Sequence, residues 1–343
     1  MILGIDIGTT NIEFALTDIS SNDISLNVMP NPLSKYGLDV MTRISKANDG
    51  KLDEMSTLLR LFLHDKISEI VDVNTLTQIR IAANTTMVHI LMNYDCTNLG
   101  AFPFSPVHIE KIHSSSKELN ICDSDIPVYI TPGLSAFVGG DIVSGLSIVD
   151  SCCDDHYLFI DLGTNAEMVL VDNNIAYITS AAAGPAFETC SYGHATDAID
   201  GLVNMLDNDI IDETGLLCDE YFDLGYDCNN MHFSQKKIRD FQMAKSAIKT
   251  GIELLIKESN VCTDSLSVYI AGTFGANLNV ANAIKLSMLP DWFMGRTKTL
   301  GNTSLAGTLN TLDEYNIYKK EIREIVLANL PEFNDYYIQN MSF

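Results

Sequence analysis

Two short stretches of the chain carry the same acidic turn. The stretch IDIGTTNIEFAL near the start recurs as IDLGTNAEMVL near the middle. A phosphate group needs backbone N–H donors on an uncrowded chain, hydroxyl groups for further hydrogen bonds, and a carboxylate that can hold a hydrated magnesium ion. Both stretches supply these groups: Asp6, Gly8, Thr9 and Thr10 in the first, and Asp161, Gly163, Thr164 and Asn165 in the second.

A single copy of this turn has two interpretations. Asp and Gly favour hairpin turns of any function, so one Asp-x-Gly-Thr is weak evidence for a phosphate site. Two copies at matching points of two strand-rich segments favour the phosphate interpretation. We therefore predict that the two halves of the chain bind one nucleotide together. Asp6 and Asp161 would lie near its Mg²⁺, and the two turns would surround its phosphates.

A third element, SVYIAGTFGANL, follows the second turn. It predicts a strand from Ser267, a Gly-rich bend and then a helix, a geometry that can receive a phosphate or a ribose–adenine edge. Alone, such a bend is more often structural. Its place after both acidic turns favours Gly272, Thr273 and Gly275 as nucleotide-binding residues.

The elements that must position these turns alternate between strands and helices, so the fold class is α/β. Each acidic turn joins two strands, and the repeat predicts two lobes, residues 1–150 and 151–343, the second with a solvated acidic insertion near 207–231. Further strands are predicted at Gln78–Ala82, Val128–Ile130 and Ser267–Ile270, and helices at Met55–His64, Thr85–Met92, Leu134–Leu146, Thr196–Met205, Ser234–Glu258 and Leu278–Lys285.

Charge and composition exclude several classes of partner. The 343 residues include 45 acidic and 21 basic side chains, for a net charge of −24. Such a surface repels nucleic acid and anionic membranes. The start resembles no signal peptide and no uninterrupted apolar span is present, so we expect a cytoplasmic protein. The eight cysteines are dispersed and form no C-x-x-C, which predicts reduced structural thiols.

The order of these motifs resembles a known superfamily. DIGTT, TPGLSAFVGGD, DLGTN and AGTFG are similar to the phosphate-1, connect-1, phosphate-2 and adenosine elements of the actin, heat-shock chaperone and sugar kinase (ASKHA) ATPases. Longer strings, NPLSKYGLDVMTRIS, ANTTMVHILM, NLGAFPFSP and AAGPAFE, resemble the ATPase domain of the reductive activators of corrinoid proteins. The likeness runs from about Ile2 to Thr311 and implies two ribonuclease H-like, actin-like lobes with a nucleotide cleft between them.

The resemblance also implies roles for individual residues. MAKSAIKTGI is similar to a helix whose lysine lies by the nucleotide, which makes Lys245 a candidate ligand; the alternative is an exposed helix lysine. Asp141, in VGGD, is a candidate to orient the attacking water, and Glu167 and Glu188 compete for that role. The alternative for Asp141 is a carboxylate on a helix surface. His89 and His194 are expected to be structural.

The chain departs from these activators in one large respect. In activators of this type, the ATPase domain is coupled to an iron–sulfur domain. This sequence has neither the plant-type nor the bacterial run of cysteines that binds such a cluster. We therefore expect ATP or ADP and Mg²⁺ as ligands, no iron–sulfur cluster in this chain, and a separate iron–sulfur protein as electron donor. Leu33 and Thr189 stand where the family usually has Gln and Gly, which weakens the partner assignment more than the nucleotide assignment.

Three functions remain open at the level of sequence. The first is an ATPase that docks on a corrinoid protein or corrinoid-dependent methyltransferase and favours reduction of Co(II) to Co(I). The second is a small-molecule kinase of the same superfamily, and the third is a nucleotide-dependent scaffold that barely hydrolyses ATP. The resembled activators suggest a homodimer.

Overall fold

The computed structural model describes residues 1–18, 24–150, 155–184, 195–229, 231–310 and 315–343. The chain divides into two compact units. The first consists of Met1–Cys152 together with Asn302–Lys319, and the second of Cys153–Gly301 together with Lys320–Phe343. Each unit therefore takes chain from two separate stretches of sequence.

The first unit is built on a six-stranded sheet. Its strands are β1 (Ile2–Ile7), β2 (Asn11–Thr17), β3 (Ile24–Pro30), β4 (Gln78–Ala83), β5 (Ile112–Ser115) and β6 (Pro127–Ile130), in the order β3-β2-β1-β4-β6-β5. β1, β2 and β3 are antiparallel neighbours, and β4 pairs in parallel with the other side of β1. The first acidic turn therefore follows a central strand.

The second unit repeats this arrangement. Its strands are β7 (His156–Leu162), β8 (Ala166–Asp172), β9 (Ile175–Ala181), β10 (Tyr226–Cys228), β11 (Met231–Phe233), β12 (Ser267–Ala271), β13 (Thr297–Thr299) and β14 (Glu321–Glu324). The main sheet has the order β13-β12-β7-β8-β9-β14, and β10 and β11 form a separate hairpin. β7, β8 and β9 are antiparallel, and β12 pairs in parallel with β7. The second acidic turn thus also follows a central strand.

Helices flank these sheets. They are α1 (Val40–Lys46), α2 (Leu52–Ile70), α3 (Thr85–Met92), α4 (Gly140–Asp150), α5 (Ala195–Asp207), α6 (Gln235–Ser259), α7 (Gly272–Gly275), α8 (Val280–Lys285), α9 (Thr303–Leu309) and α10 (Phe333–Gln339). Polar caps start several of them, because a side-chain oxygen can satisfy an N–H that has no partner within the helix. Asn84 accepts from Met87 N at 2.9 Å at the start of α3, and Ser234 accepts from Lys237 N at 3.3 Å at the start of α6.

Each unit has a hydrophobic core of its own. In the first, Ile5 and Ile81 on adjacent strands pack with Leu63 of α2. In the second, Ile160 and Ile270 occupy the equivalent strands and pack with Ile248 of α6. These positions are apolar on strands that are buried on both faces, as expected for the centre of an α/β sheet.

Most predicted elements are present, and the α/β class is confirmed. One helix prediction is wrong at its start: α4 begins at Gly140, and Leu134–Gly139 is irregular. The small residues there serve close packing, since a β-carbon at Gly139 would lie 2.5 Å from Asn84 Cα. In the acidic segment 207–231, Ile211 and Leu217 are buried in the core while many neighbours are exposed.

In the part of the chain that the structure describes, none of the helices has both the length and the apolar character needed to cross a bilayer.

Candidate functional site

Asp6 stands at the end of β1, where two side chains from the returning segment of the first unit hold it. Asn302 Nδ2 donates to one carboxylate oxygen at 2.9 Å, and Ser304 Oγ donates to the other at 2.8 Å. Asn302 is also the N-cap of α9, accepting from Leu305 N at 2.8 Å. The carboxylate is therefore fixed in orientation by residues whose own backbone is held by a helix.

The electrostatics around Asp6 are unfavourable for an isolated negative charge. Burial is the largest cause that raises its pKa, to about 7; the charges of Asp141 and Glu13 add to the rise, and the hydrogen bonds from Asn302 and Ser304 oppose it. Asp141, at the start of α4, accepts from Ile142 N at 2.9 Å, and burial raises its pKa to about 6. The charge of Asp141 thus disfavours the charged form of Asp6, and a divalent cation at Asp6 would offset both this repulsion and the burial.

The first turn follows Asp6 directly in sequence and remains accessible. Gly8 and Thr9 are partly exposed and Thr10 is exposed. Asn84 Nδ2 donates to Thr9 Oγ1 at 3.3 Å. A β-carbon at Gly8 would lie 2.8 Å from Asn11 O, so the turn closes tightly only with glycine at this position.

The second turn has the same design within the second unit. Asp161 ends β7 and is paired in register with Glu167 of β8, as Asp6 is paired with Glu13. Gly163 N donates to Asn165 O at 2.9 Å, which closes the turn, and Thr164 is buried. Glu167 Oε1 accepts from Ser180 Oγ at 3.2 Å.

Gly272 lies directly against this second turn. Its φ is +89°, a conformation that side chains with a β-carbon rarely adopt. A β-carbon there would lie 2.5 Å from Leu162 O and 2.7 Å from Asp161 Oδ1. The predicted adenosine element and the predicted metal-binding carboxylate of the second unit are thus adjacent, with Gly275 buried one turn further on in α7.

Lys245 is not an exposed helix lysine. It lies on α6 and is fully buried; its ammonium donates to Ser342 O and lies 5.3 Å from the centre of the Phe343 ring. Burial is the largest cause that lowers its pKa, to about 7, and the neighbouring charge of Lys249 lowers it further. The proposal that Lys245 contacts a nucleotide stays a prediction.

The predicted residues therefore fall into two groups. Asp6, Gly8, Thr9, Thr10 and Asp141 belong to the first unit, and Asp161, Gly163, Thr164, Asn165, Glu167, Lys245, Gly272 and Gly275 belong to the second. That the two groups face one nucleotide stays a prediction. Glu188, His194 and the side chain of Thr273 lie outside the described part of the chain.

Sequence reasoning missed four residues that hold the first turn and its carboxylate: Asn302, Ser304, Asn31 and Arg43. Asn302 and Ser304 are 296 and 298 positions from Asp6, and GNTS has no spacing that marks it as a site. Asn31 and Arg43 did carry a signal, since both stand in the NPLSKYGLDVMTRIS string.

The magnesium ion predicted from the sequence stays a prediction. Among the described residues there is no group of three or more His, Cys, Asp or Glu that could hold a metal ion. Mg²⁺ keeps several waters and takes only one or two protein carboxylates, so the predicted site with Asp6 and Asp161 does not require such a group.

Two protein-family models match the chain in succession. The model described as the RACo middle region matches residues 1–151, and the model described as the C-terminal domain of RACo, the ASKHA domain, matches residues 155–217 and 222–343. The chain belongs to the RACo family. The family resemblance and the ASKHA fold predicted from the motifs are confirmed.

Individual relatives agree with the family assignment. The corrinoid activation enzyme RamQ of Eubacterium limosum is 26% identical, over 99% of this chain and 70% of RamQ. A solved reductive activator for a corrinoid, iron–sulfur protein has the same fold, with a TM-score of 0.88 at 24% identity over 99% of this chain. This chain spans 65% of the length of that protein.

Proposed function

We propose that this chain binds Mg-ATP, hydrolyses it, and uses the cycle to drive reductive activation of a corrinoid protein from Co(II) to Co(I). One observation carries the nucleotide part: Asp6 and Asp161 lie near the end of a central strand, and five strands have the same order in the two sheets, β3-β2-β1-β4-β6 and β9-β8-β7-β12-β13. Membership of the RACo family and the names of the two relatives support the corrinoid part.

The residues of the first unit would act as follows. Asp6, oriented by Asn302 and Ser304, would hold the hydrated magnesium ion, which would neutralise charge on the phosphates. Asp141 would orient the attacking water and accept its proton. Its pKa near 6 suits a base better than that of an ordinary carboxyl group, since the strongest general bases titrate near the working pH.

The residues of the second unit would complete the site. Gly163, Thr164 and Asn165 would contact phosphate oxygens, and Gly272 with Gly275 would admit the adenosine to a surface that side chains would otherwise fill. Glu167 is the alternative base. Hydrolysis consumes one water and one ATP and yields ADP and phosphate.

The activation step would take place on the partner. One electron from a separate iron–sulfur protein reduces Co(II) to Co(I), and nucleotide binding to both units would shift this chain toward the form that binds the corrinoid protein in a reducible state. The proposal includes a homodimer, because the activators that this sequence resembles suggest one.

The test is an activation assay. A corrinoid protein of a methyltransferase system in the Co(II) state is mixed with this chain, Mg-ATP and titanium(III) citrate as the electron source, and Co(II) loss is followed by absorption and electron paramagnetic resonance. We expect ATP-dependent formation of Co(I) and faster ATP turnover when the corrinoid protein is present. The variant Asp6→Asn should lose both effects, and the exposed control Asp125→Asn should retain them.

Other results would redirect the assignment. The activator role would be contradicted if the rate of Co(II) loss did not depend on ATP and the rate of ATP turnover did not depend on the corrinoid protein. Stoichiometric phosphorylation of a metabolite, detected by mass spectrometry, would indicate a kinase. Tight retention of ADP with slow turnover and no response to the corrinoid protein would indicate a scaffold.

A further inference from the structure

Three consecutive carbonyl groups of the first acidic turn accept hydrogen bonds from two buried residues. Gly8 O accepts from Asn31 Nδ2 at 2.7 Å, and Thr10 O accepts from Asn31 N at 2.8 Å. Between them, Thr9 O accepts from Arg43 Nη2 at 2.6 Å. Neither Asn31 nor Arg43 is part of the turn, so the turn takes its shape from a second segment of the chain.

That second segment is itself well fixed. Asn31 is 1% exposed and caps the 3₁₀ helix Pro32–Tyr36, accepting from Leu33 N at 2.9 Å. Arg43 belongs to α1, which starts at a cap where Asp39 accepts from Thr42 N at 2.8 Å. The two holding residues are therefore anchored at both ends of the segment.

Arg43 is an unusual residue to find in this place. Its side chain is fully buried, and besides Thr9 O it contacts Gly37 O through Nε at 3.0 Å and Met87 Sδ through Nη1 at 3.2 Å. Burying a charge is costly unless hydrogen bonds compensate, and a well-packed apolar side chain of similar volume often gives an equally stable fold. Stability alone is thus a poor reason for a guanidinium here.

The geometry of the peptide group supplies a better reason. In a trans peptide the N–H points opposite to the C=O. With Gly8 O directed at Asn31 and Thr9 O at Arg43, the N–H of Thr9 is directed away from Asn31 and the N–H of Thr10 away from Arg43. Consecutive backbone N–H groups on one side of a turn form an anion-binding concavity, and a buried cation behind them adds positive potential.

We infer that Arg43 is a positioning residue for the phosphate-binding turn: it fixes the Thr9 peptide so that the turn presents its N–H groups to the nucleotide, without contacting the ligand itself. This inference rests on the proposed function for its effect on binding. Its effect on the turn stands on the contacts of Arg43 alone.

The test compares two arginines of the same unit. Arg60 on α2 also donates from a half-buried guanidinium to a backbone carbonyl, Leu91 O at 2.8 Å, and it does not contact the turn through that bond. Arg43→Met removes the guanidinium bonds to Thr9 O and Gly37 O, and Arg60→Met removes the guanidinium bond to Leu91 O. Both are measured by thermal unfolding, by hydrogen exchange of peptides covering residues 5–16, and by calorimetry with Mg-ADP.

We expect only Arg43→Met to act on the turn. Its peptides 5–16 should exchange at least about 10-fold faster in the nucleotide-free protein, and its Kd for Mg-ADP should rise at least about 10-fold, which is about 1.4 kcal/mol. Arg60→Met should lower the unfolding temperature but leave both readouts within about twofold of the wild type, the range of an ordinary distant change. Equal effects of the two variants, or wild-type exchange in Arg43→Met, would overturn the inference.

Two further results remain informative. If the wild type does not bind Mg-ADP, the proposed function fails, and the exchange comparison still decides whether Arg43 holds the turn. If Arg43→Met does not fold, Arg43→Lys takes its place, since it keeps the cation but lacks the planar fork that reaches Thr9 O and Gly37 O together. Wild-type exchange and affinity in Arg43→Lys would then contradict the positioning role.

Discussion

Gly272 and Asp161 are packed so closely that a β-carbon on the glycine would lie 2.7 Å from the carboxylate oxygen Oδ1. The same β-carbon would lie 2.5 Å from Leu162 O, and the glycine has a φ of +89°. Substitution at Gly272 must therefore strain the backbone and also displace the second acidic turn.

The variant Gly272→Ala separates these two effects when it is compared with Gly295→Ala. Gly295 has a similar φ of +74° but open space around its β-carbon position. Gly295→Ala should cost about 1 kcal/mol from backbone strain alone. Gly272→Ala should cost more, on the order of 2–3 kcal/mol, and should also weaken Mg-ADP binding. Chemical denaturation and calorimetry measure the two quantities; equal stability losses with unchanged binding would contradict the assignment of Gly272.

Asp6 should make the nucleotide-free protein less stable as the pH rises. Its pKa is raised from 3.8 to about 7 in the folded state, so between about pH 4 and pH 7 the folded protein binds more protons than the unfolded chain. Stability therefore falls as pH increases through that window and is level above it. Asp6→Asn removes the charge and should raise the free energy of unfolding at pH 8 by more than about 1 kcal/mol.

The measurement is urea denaturation at pH 5 and pH 8 without nucleotide. The exposed control Asp125→Asn, in the same unit, should follow the wild type at both pH values. If Asp6→Asn is less stable than the wild type at pH 8, burial of the charged Asp6 carboxylate does not destabilise the folded protein. A gain in stability joined to a loss of Mg-ADP binding is the expected signature of a functional carboxylate.

His89 should have the opposite dependence on pH. The ring is fully buried; its Nδ1 contacts Thr85 O at 2.8 Å and its Nε2 accepts from Val107 N at 3.1 Å, an arrangement that requires a neutral ring protonated at Nδ1. Burial lowers the pKa of His89 from its ordinary value of 6.5. Near and below pH 6.5, the unfolded chain therefore binds more protons at this residue than the folded protein does. This contribution to stability is lost as the pH falls below about 6.5.

A paired comparison isolates the histidine from the carboxylates. The difference in unfolding free energy between the wild type and His89→Gln should shrink from pH 7.5 to pH 5.5, while His113→Gln, at an exposed site of the same unit, should show a constant difference. A difference for His89→Gln that does not change with pH would contradict the buried neutral state.

Lys245 can be tested as both a structural and a functional residue. Its pKa is lowered from 10.5 to about 7, so between about pH 7 and pH 10 the unfolded chain binds more protons and stability rises with pH. Lys245→Met should remove this rise, because the buried ammonium is replaced by an apolar side chain. Lys249→Met, one turn along α6, is the comparison; it should keep most of the rise, because it removes only the lesser of the two causes that lower the pKa of Lys245.

Measuring Mg-ADP binding tests whether Lys245 is a nucleotide ligand. If it is a ligand, Lys245→Met should raise the Kd for Mg-ADP at least about 10-fold while Lys249→Met does not. If the ammonium serves only the contact with Ser342 and Phe343, both variants should bind Mg-ADP like the wild type.

Local patterns were sufficient for much of the fold. Alternating and continuous apolar runs predicted the hairpins on both sides of Gly8 and Gly163, and a cap residue with apolar spacing predicted α3 at its observed bounds. The start of α4 was missed because tertiary packing at Gly139 overrides the helical tendency of its small neighbours.

Fewer residues of the candidate site could be predicted from the sequence, because tertiary contacts form it as well. The repeat singles out Asp6 and Asp161 because their neighbours form local turns. The side chains that hold Asp6 come from Asn302 and Ser304, in a segment that returns to the first unit from nearly 300 residues away, and no local pattern reports such a contact.

The most direct test of the account is calorimetric titration of Mg-ADP into the wild type, Asp6→Asn and Asp161→Asn. We predict one binding site per chain in the wild type and loss of binding, by at least about 100-fold or 2.7 kcal/mol, in each variant separately, because both acidic turns serve one nucleotide. Wild-type affinity in either folded variant would contradict the claim that the two turns share a ligand.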